Sequence, residues 1–301
     1  VSIQRVAVIG LGLLGGSIGL ALAKHCPDIT TTGYDADPAT REAARARQLV
    51  GTVHDSAAGS VAQADLVILC VPVGAMAFAA EAIRDVLPSG AIISDVGSSK
   101  QSVVESLQAA LPGHTVIPAH PVAGTEQSGP EAGFAELFEH RWCILTPPEG
   151  TPDDKIADLS AMWKRLGSKI EIMDAAHHDL VLAVTSHIPH LIAYTIVGTA
   201  SDLEDVTRSE VIKYSAGGFR DFTRIAASDP TMWRDVFLHN KDAVLEMLGR
   251  FTEDLTALQR AIRRGDGDAL HELFTRTRAI RRSIIEQGQD DARPDFGRAD
   301  H

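Results

Sequence analysis

Between Val6 and Ala23 the chain carries no charged side chain, yet Gly10, Gly12, Gly15, Gly16 and Gly19 interrupt the run. Its length is near the ~18 apolar residues that mark a spanning helix. So many glycines, with no positively charged leader and no small-residue cleavage site, argue against a membrane span or a signal peptide. An apolar strand, a tight turn and an apolar helix fit better. In that context Gly10-Leu11-Gly12-Leu13-Leu14-Gly15 matches G-x-G-x-x-G, a dinucleotide-binding fingerprint. Gly10 permits the turn, Gly12 lets a pyrophosphate approach the backbone, and Gly15 lets helix and sheet pack closely. The helix N-terminus, opened by Leu13 and Leu14, supplies N–H donors and partial positive charge. Asp35 follows Gly15 by 20 positions, where a carboxylate accepts from a ribose 2′-hydroxyl and repels a 2′-phosphate. No Arg follows it immediately, Arg41 lying within the next helix, so the expected cofactor is NAD rather than NADP. Val71 and Pro72, at the end of a later strand, are assigned to the same crevice.

The first half continues to alternate β-branched runs with amphipathic segments. Strands are expected at Arg5–Ile9, Thr30–Tyr34, 65–71, 91–95, 115–119, 142–146 and Lys169–Ile172, with helices over 18–25, 38–48, 75–86 and 100–111. Such alternation predicts a mostly parallel sheet covered on both faces. After Asp174 only helical patterns remain: Ala175–Ser201, 205–214, 231–265 and 268–286. Asp229-Pro230 reads as a helix boundary and Gly265-Asp266-Gly267 as a turn between antiparallel helices. The expected architecture is therefore an α/β Rossmann-type dinucleotide-binding domain over 1–174, followed by an all-α substrate-binding and dimerisation domain over 175–301, with 287–301 a frayed tail. The active site is expected in the cleft between them. A length of 301 residues suits two domains, and a net charge of -12 offers no cationic field for nucleic acid. Cys26, Cys70 and Cys143 are far apart and form no metal-binding or disulfide pattern, which fits reduced thiols and a cytoplasmic protein.

Two loops at the carboxyl ends of strands carry candidate chemistry: Asp95-Val96-Gly97-Ser98-Ser99-Lys100, and His120-Pro121-Val122-Ala123-Gly124-Thr125-Glu126. Ligands of open α/β sheets bind beyond those ends, so Ser98 and His120 are expected to converge beside the nicotinamide. The helical half adds Thr185-Ser186-His187-Ile188-Pro189-His190 and Gly217-Gly218-Phe219-Arg220-Asp221-Phe222-Thr223-Arg224, followed by Met232-Trp233. His187 and His190 are spaced to share one helix face. No acidic residue completes a metal-ligand set beside them, and no metal is expected. Pro189 is expected to kink the helix and free a carbonyl.

The glycine loop, Ser98 with Lys100, HPVAGTEQSG at 120–129, SHIPH at 186–190 and GGFRDFTRIAASDPTMW at 217–233 together resemble the prephenate/arogenate (cyclohexadienyl) dehydrogenase family. The likeness runs from Val6 to about Glu286, with the blocks in family order. It implies oxidative decarboxylation of prephenate to 4-hydroxyphenylpyruvate, or of arogenate to tyrosine, with hydride passing to NAD(P)⁺. It implies that His120 accepts the ring hydroxyl's hydrogen bond as general base, and that Ser98 holds hydroxyl and imidazole in register. Arg224 would pair with the ring carboxylate, while His190, Ser186 and Trp233 line the side-chain end. His187 and Glu126 would support or gate, Glu126 pairing with Arg224, and Asp179 and Asp221 would anchor these groups from behind. The resemblance is to the short, monofunctional form of the enzyme, and a homodimer is expected because long apolar-faced helices such as that over 231–265 need a partner surface. Two alternatives share features. A β-hydroxyacid dehydrogenase (or an imine reductase) would share the architecture, but the former places a catalytic Lys in the first helix of its second domain, and none lies between Asp174 and Ser201. A NAD-binding sensor would not need Ser98, His120, His190 and Arg224 together.

Overall fold

The computed structural model describes residues 3–125, 127–202, 217–284 and 286. Glu126, the expected helix over 205–214 and the tail over 287–301 lie outside the described residues.

Six parallel strands form the first sheet: β1 (Arg5–Ile9), β2 (Thr30–Tyr34), β3 (Thr52–Val53), β4 (Leu66–Leu69), β5 (Ile92–Asp95) and β6 (Thr115–Val116), in the order β3-β2-β1-β4-β5-β6. Alternate side chains leave opposite faces. Val6 and Val8 pack with Ile18, Ala21 and Leu22 of α1 (Leu13–His25). Ala7 and Ile9 pack with Met76 and Ala80 of α4 (Met76–Glu81) and with Val103 and Leu107 of α5 (Gln101–Ala110). The helices α2 (Pro38–Ala46) and α3 (Ala57–Val61) complete the crossovers. This is the doubly covered parallel sheet expected of a Rossmann-type fold.

The expected strand over 115–119 breaks in two. Ile117 still donates to Ile93 of the first sheet, but the Pro118 carbonyl accepts from Thr146. Proline has no N–H to continue the ladder, so the chain changes sheets there. A second sheet follows, of β7 (Ala119–Pro121), β8 (Trp142–Leu145) and β9 (Lys169–Ile172), with β7 antiparallel and β9 parallel to β8. His120 therefore sits inside β7, paired with Ile144, and does not end a sixth strand of the parallel sheet. Helix α6 (Asp153–Arg165) covers this sheet through buried Leu159, Met162 and Trp163.

The rest of the described chain is helical. The run Ala175–Ser201 is α7 (Ala175–Leu182), a π-helical turn over Ala183–His187, and α8 (Ile188–Ser201). The widening thus falls just before Pro189, where the ring would crowd an α-helical carbonyl. Next come α9 (Gly217–Thr223), a 3₁₀ turn over Arg224–Ala227 and α10 (Pro230–His239), the last capped by Asp229, whose Oδ1 accepts from the Met232 amide at 2.8 Å. The single helix expected over 231–265 is broken at Asn240, which separates α10 from α11 (Lys241–Arg264). Gly265, at φ 65°, ends α11 in the left-handed region and turns the chain into α12 (Gly267–Ile284).

Candidate active site

The glycine loop is built as its spacing requires. Gly10 has φ 96°, and a Cβ there would lie 2.4 Å from the Cys70 carbonyl oxygen. A Cβ on Gly15 would lie 1.8 Å from the Gly10 oxygen, so the loop closes only without side chains at both positions. Gly12 is the N-cap of α1 and has no side-chain cap; a Cβ there would meet nothing within 4 Å. Uncapped amides facing open space fit the pyrophosphate of a dinucleotide. Leu13 and Leu14 are half-buried and pack against the core, while Val71 touches the Gly10 turn and Pro72 is exposed beside it. Asp35 follows β2 directly; its Oδ2 accepts from the Leu11 amide at 2.8 Å and its Oδ1 from the Asp37 amide at 2.9 Å. Arg41, although it lies within α2, folds back so that Nη1 donates to the Asp35 carbonyl at 2.7 Å.

Four histidines gather where α7, the π turn and α8 meet the sheets. His120 is 7% exposed, and its Nδ1 lies 2.8 Å from Nε2 of the fully buried His178. Nδ1 of His178 lies 2.8 Å from Asp179 Oδ1. Asp179 also accepts from the amides of Lys100 at 2.7 Å and Gln101 at 2.9 Å, tying α7 to the start of α5. Asn240, freed by the break between α10 and α11, donates to the Asp179 carbonyl at 2.8 Å and contacts His187 Nδ1 at 3.1 Å. His187 lies beside the Ser98 backbone, although its Nε2 completes no well-aligned hydrogen bond among the described residues. Its ring meets Trp233 edge-on at 6.1 Å, and His190 stacks on the same indole at 3.5 Å. His190 Nδ1 donates to the Ser186 carbonyl at 2.9 Å, which leaves Nε2 as the bare nitrogen. The positive charge of the exposed Arg224 acts on His190. His120 touches His178, and His187 and His190 both touch Trp233; the charges of His178 on His187 and of Arg224 on His190 link these groups electrostatically into one file.

Burial sets the protonation of this file. It holds His120 well below the usual histidine value, with the fields of His178, Lys100 and His187 acting the same way, so the imidazole is neutral at neutral pH. Burial likewise pushes His187 and His190 down to about 4. For His187 the consequence is a pH-dependent stability. An unfolded chain binds a proton there near 6.5 and the folded one does not, so the contribution is complete above about 6.5 and is lost as pH falls through about 4. The shift is worth about 3 kcal/mol. We expect melting temperatures measured between those pH values to fall less steeply in His187→Asn, whose amide oxygen still accepts from Asn240. An unchanged slope would show that this imidazole is not the group titrating.

Below the file lies a salt bridge with no solvent exposure. Lys100 Nζ contacts Asp95 Oδ2 and donates to the Ala119 carbonyl at 2.9 Å, while Asp95 Oδ1 accepts from the Ala119 amide at 3.2 Å. Both backbone groups of the residue before His120 are held by one ion pair. The loop carrying half-buried Ser98 springs from the same Asp95.

Sequence reasoning thus placed Ser98, His120, Ser186, His187, His190, Arg224 and Trp233 in one region, and the structure brings them to one region. Asp221 lies on α9, exposed, with the nearby Arg220 guanidinium at 3.9 Å. His178, Asn240 and the Asp95–Lys100 pair were not foreseen as parts of the site. The adjacent His178-Asp179 was the readable signal for the first.

A glycine loop shaped for a dinucleotide, together with a buried neutral imidazole and a guanidinium whose charge reaches the same file, fits a dinucleotide-dependent dehydrogenase. Comparison with known proteins narrows the class. The profile of the prephenate dehydrogenase nucleotide-binding domain matches residues 18–172, and that of the prephenate dehydrogenase dimerization domain matches 174–276. The chain belongs to the prephenate dehydrogenase family. It is 46% identical to a cyclohexadienyl dehydrogenase of Zymomonas mobilis, over 93% of this chain and 96% of that one. It is 33% identical to the prephenate dehydrogenase of Bacillus subtilis, over 90% and 73%. Among solved structures, the prephenate dehydrogenase of A. aeolicus in complex with hydroxyphenyl propionate and NAD+ superposes with a TM-score of 0.88 at 33% identity, covering 94% of this chain and 99% of that one.

Proposed function

We propose that this enzyme oxidatively decarboxylates a cyclohexadienyl carboxylate, prephenate and in a second capacity arogenate, with NAD as the partner oxidant. The observation that carries the reading is His120: buried, neutral, and fixed at Nδ1 by His178, on the same file as Arg224. The dinucleotide, held by Gly10, Gly12, Leu13, Leu14, Gly15, Asp35, Val71 and Pro72, supplies the hydride acceptor. His120 receives the hydrogen bond of the ring hydroxyl at Nε2 and holds that proton while the carbon becomes carbonyl-like. Ser98 keeps the hydroxyl and the imidazole in register. Arg224 pairs with the ring carboxylate until the carbon–carbon bond breaks and carbon dioxide leaves. His190, Ser186, Trp233 and His187 line the side-chain end, where the buried indole N–H of Trp233, with no hydrogen-bond partner among the described residues, is a donor for a keto acid. Aromatisation of the ring makes the step irreversible.

NAD is favoured because Asp35 presents a carboxylate where a 2′-phosphate would have to sit. Arg41 places a cation nearby, so the decisive measurement is kcat/KM for prephenate and arogenate, each with NAD and NADP. Turnover of neither ring acid would overturn the proposal. For Arg224→Ala, loss of one charge-assisted contact is expected to raise KM roughly 10–100-fold with a much smaller change in kcat. A pure loss of kcat would move Arg224 into transition-state stabilisation. The working unit is a homodimer: residues 174–276 match a dimerization domain, and the helices there leave Ile196, Val197, Leu245, Leu255 and Phe274 exposed as apolar side chains. A monomer in sedimentation at micromolar concentration would sink this.

A further inference from the structure

We propose that His178 and Asp179 are positioning residues whose hydrogen bonds lock His120 into the one neutral tautomer that can accept the substrate's proton. The inference rests on His120 being the proton acceptor and goes further, to what makes it one. A neutral imidazole has one bare nitrogen and one N–H, and only hydrogen bonds decide which is which.

The decision starts at Asp179. A carboxylate has acceptors alone, and this one already takes the Lys100 and Gln101 amides. His178 Nδ1, 2.8 Å away, must therefore be the donor. A neutral His178 with its proton on Nδ1 has a bare Nε2, which can only accept. His120 Nδ1, 2.8 Å from that Nε2, must then carry the proton, and the bare nitrogen of His120 is Nε2. The two rings meet at 68°, so the contact is nitrogen to nitrogen along an edge and not a stack. The alternative is a doubly protonated His178, which would donate to His120 and place the latter's proton on Nε2, blocking it. Complete burial, the larger effect, opposes that cation, as does the Lys100 ammonium, and together they outweigh the pull of Asp179 and Asp95. Each link is forced by the one before.

The same carboxylate bridges the two halves of the molecule. Asp179 and His178 belong to α7, whereas the amides that Asp179 accepts open α5, and Asn240 grips the Asp179 carbonyl from the other side. His120 acquires its competent tautomer only when α7 is docked against α5.

Imidazole NMR reads this without substrate: two-bond proton–nitrogen correlations distinguish the tautomers, with His120→Asn and His178→Gln assigning the rings. Wild-type enzyme should show His120 protonated on Nδ1. His178→Phe should lose that pattern and lower kcat at least tenfold, bounded by the factor of about 10⁴ that a wrong tautomer costs in a Ser-His-Asp triad, with little change in KM. His178→Gln keeps an acceptor for His120 and an N–H for Asp179, and should recover most of the loss. A wild-type His120 protonated on Nε2 overturns the inference. So does wild-type turnover in His178→Phe, or equal damage in the Gln and Phe variants, which would indicate packing alone. Should the Phe variant not fold, the wild-type spectrum and the Gln variant still decide. If His120→Asn turns over normally, the reading of the whole site falls; if it is inactive while His178→Phe is not, only this inference falls.

Discussion

Replacing His120 with Asn is expected to lower kcat at least about a hundredfold while leaving dinucleotide affinity nearly intact. Asn is the informative choice because its amide nitrogen reaches the position of the imidazole Nδ1 and can still donate to His178 Nε2. Only the nitrogen offered to the substrate is lost. The glycine loop and Asp35 lie on β1, α1 and the end of β2, and none of their hydrogen bonds passes through β7. Steady-state rates combined with a fluorescence titration of the reduced cofactor separate the two effects. Turnover near that of wild type would remove His120 from the chemistry. Parallel loss of cofactor binding would show a disturbed sheet instead. The effect should exceed that of Arg224→Ala, since one group holds the reacting proton and the other mainly holds the substrate.

What could be read in the sequence was what depends on local spacing. The turn at Gly10, the close approach at Gly15 and the carboxylate at Asp35 are set by residues within one β-α-β unit. Asp229-Pro230 and Gly265 marked helix ends for the same reason. The sheet change at Pro118 was harder, because 115–119 has the composition of one strand and only a missing N–H separates its halves. Asn240 was hidden inside a pattern with helical period on both sides, although Asn is a poor helix former. His178 lies 58 positions from His120, and nothing local pairs them. Lys100 belongs to a legible motif, but its burial is not legible: a lysine is almost never fully enclosed unless paired, and the partner is set by the turn at Gly97. The site's rigidity therefore came from long-range contacts that spacing does not encode.

That buried pair gives the second large effect. Lys100→Met should destabilise the enzyme by about 3–5 kcal/mol, because it strands the Asp95 carboxylate where no water reaches it. A change of that size corresponds to a melting temperature roughly 6–20 °C lower. Thermal melts at neutral pH measure it directly, and a shift of less than about 2 °C would mean that the ion pair stabilises nothing on balance. The double variant Asp95→Leu with Lys100→Met removes both charges, and its melting temperature should recover in part, since an apolar pair of similar volume is tolerated where a lone charge is not. Activity should not recover with it. In the double variant the Ala119 amide and carbonyl have lost both partners, so the strand that presents His120 is no longer pinned from below. Stability and turnover should part company in that one protein. If kcat returns with the melting temperature, the pair serves the fold alone, and the placement of His120 is owed to β8 and His178.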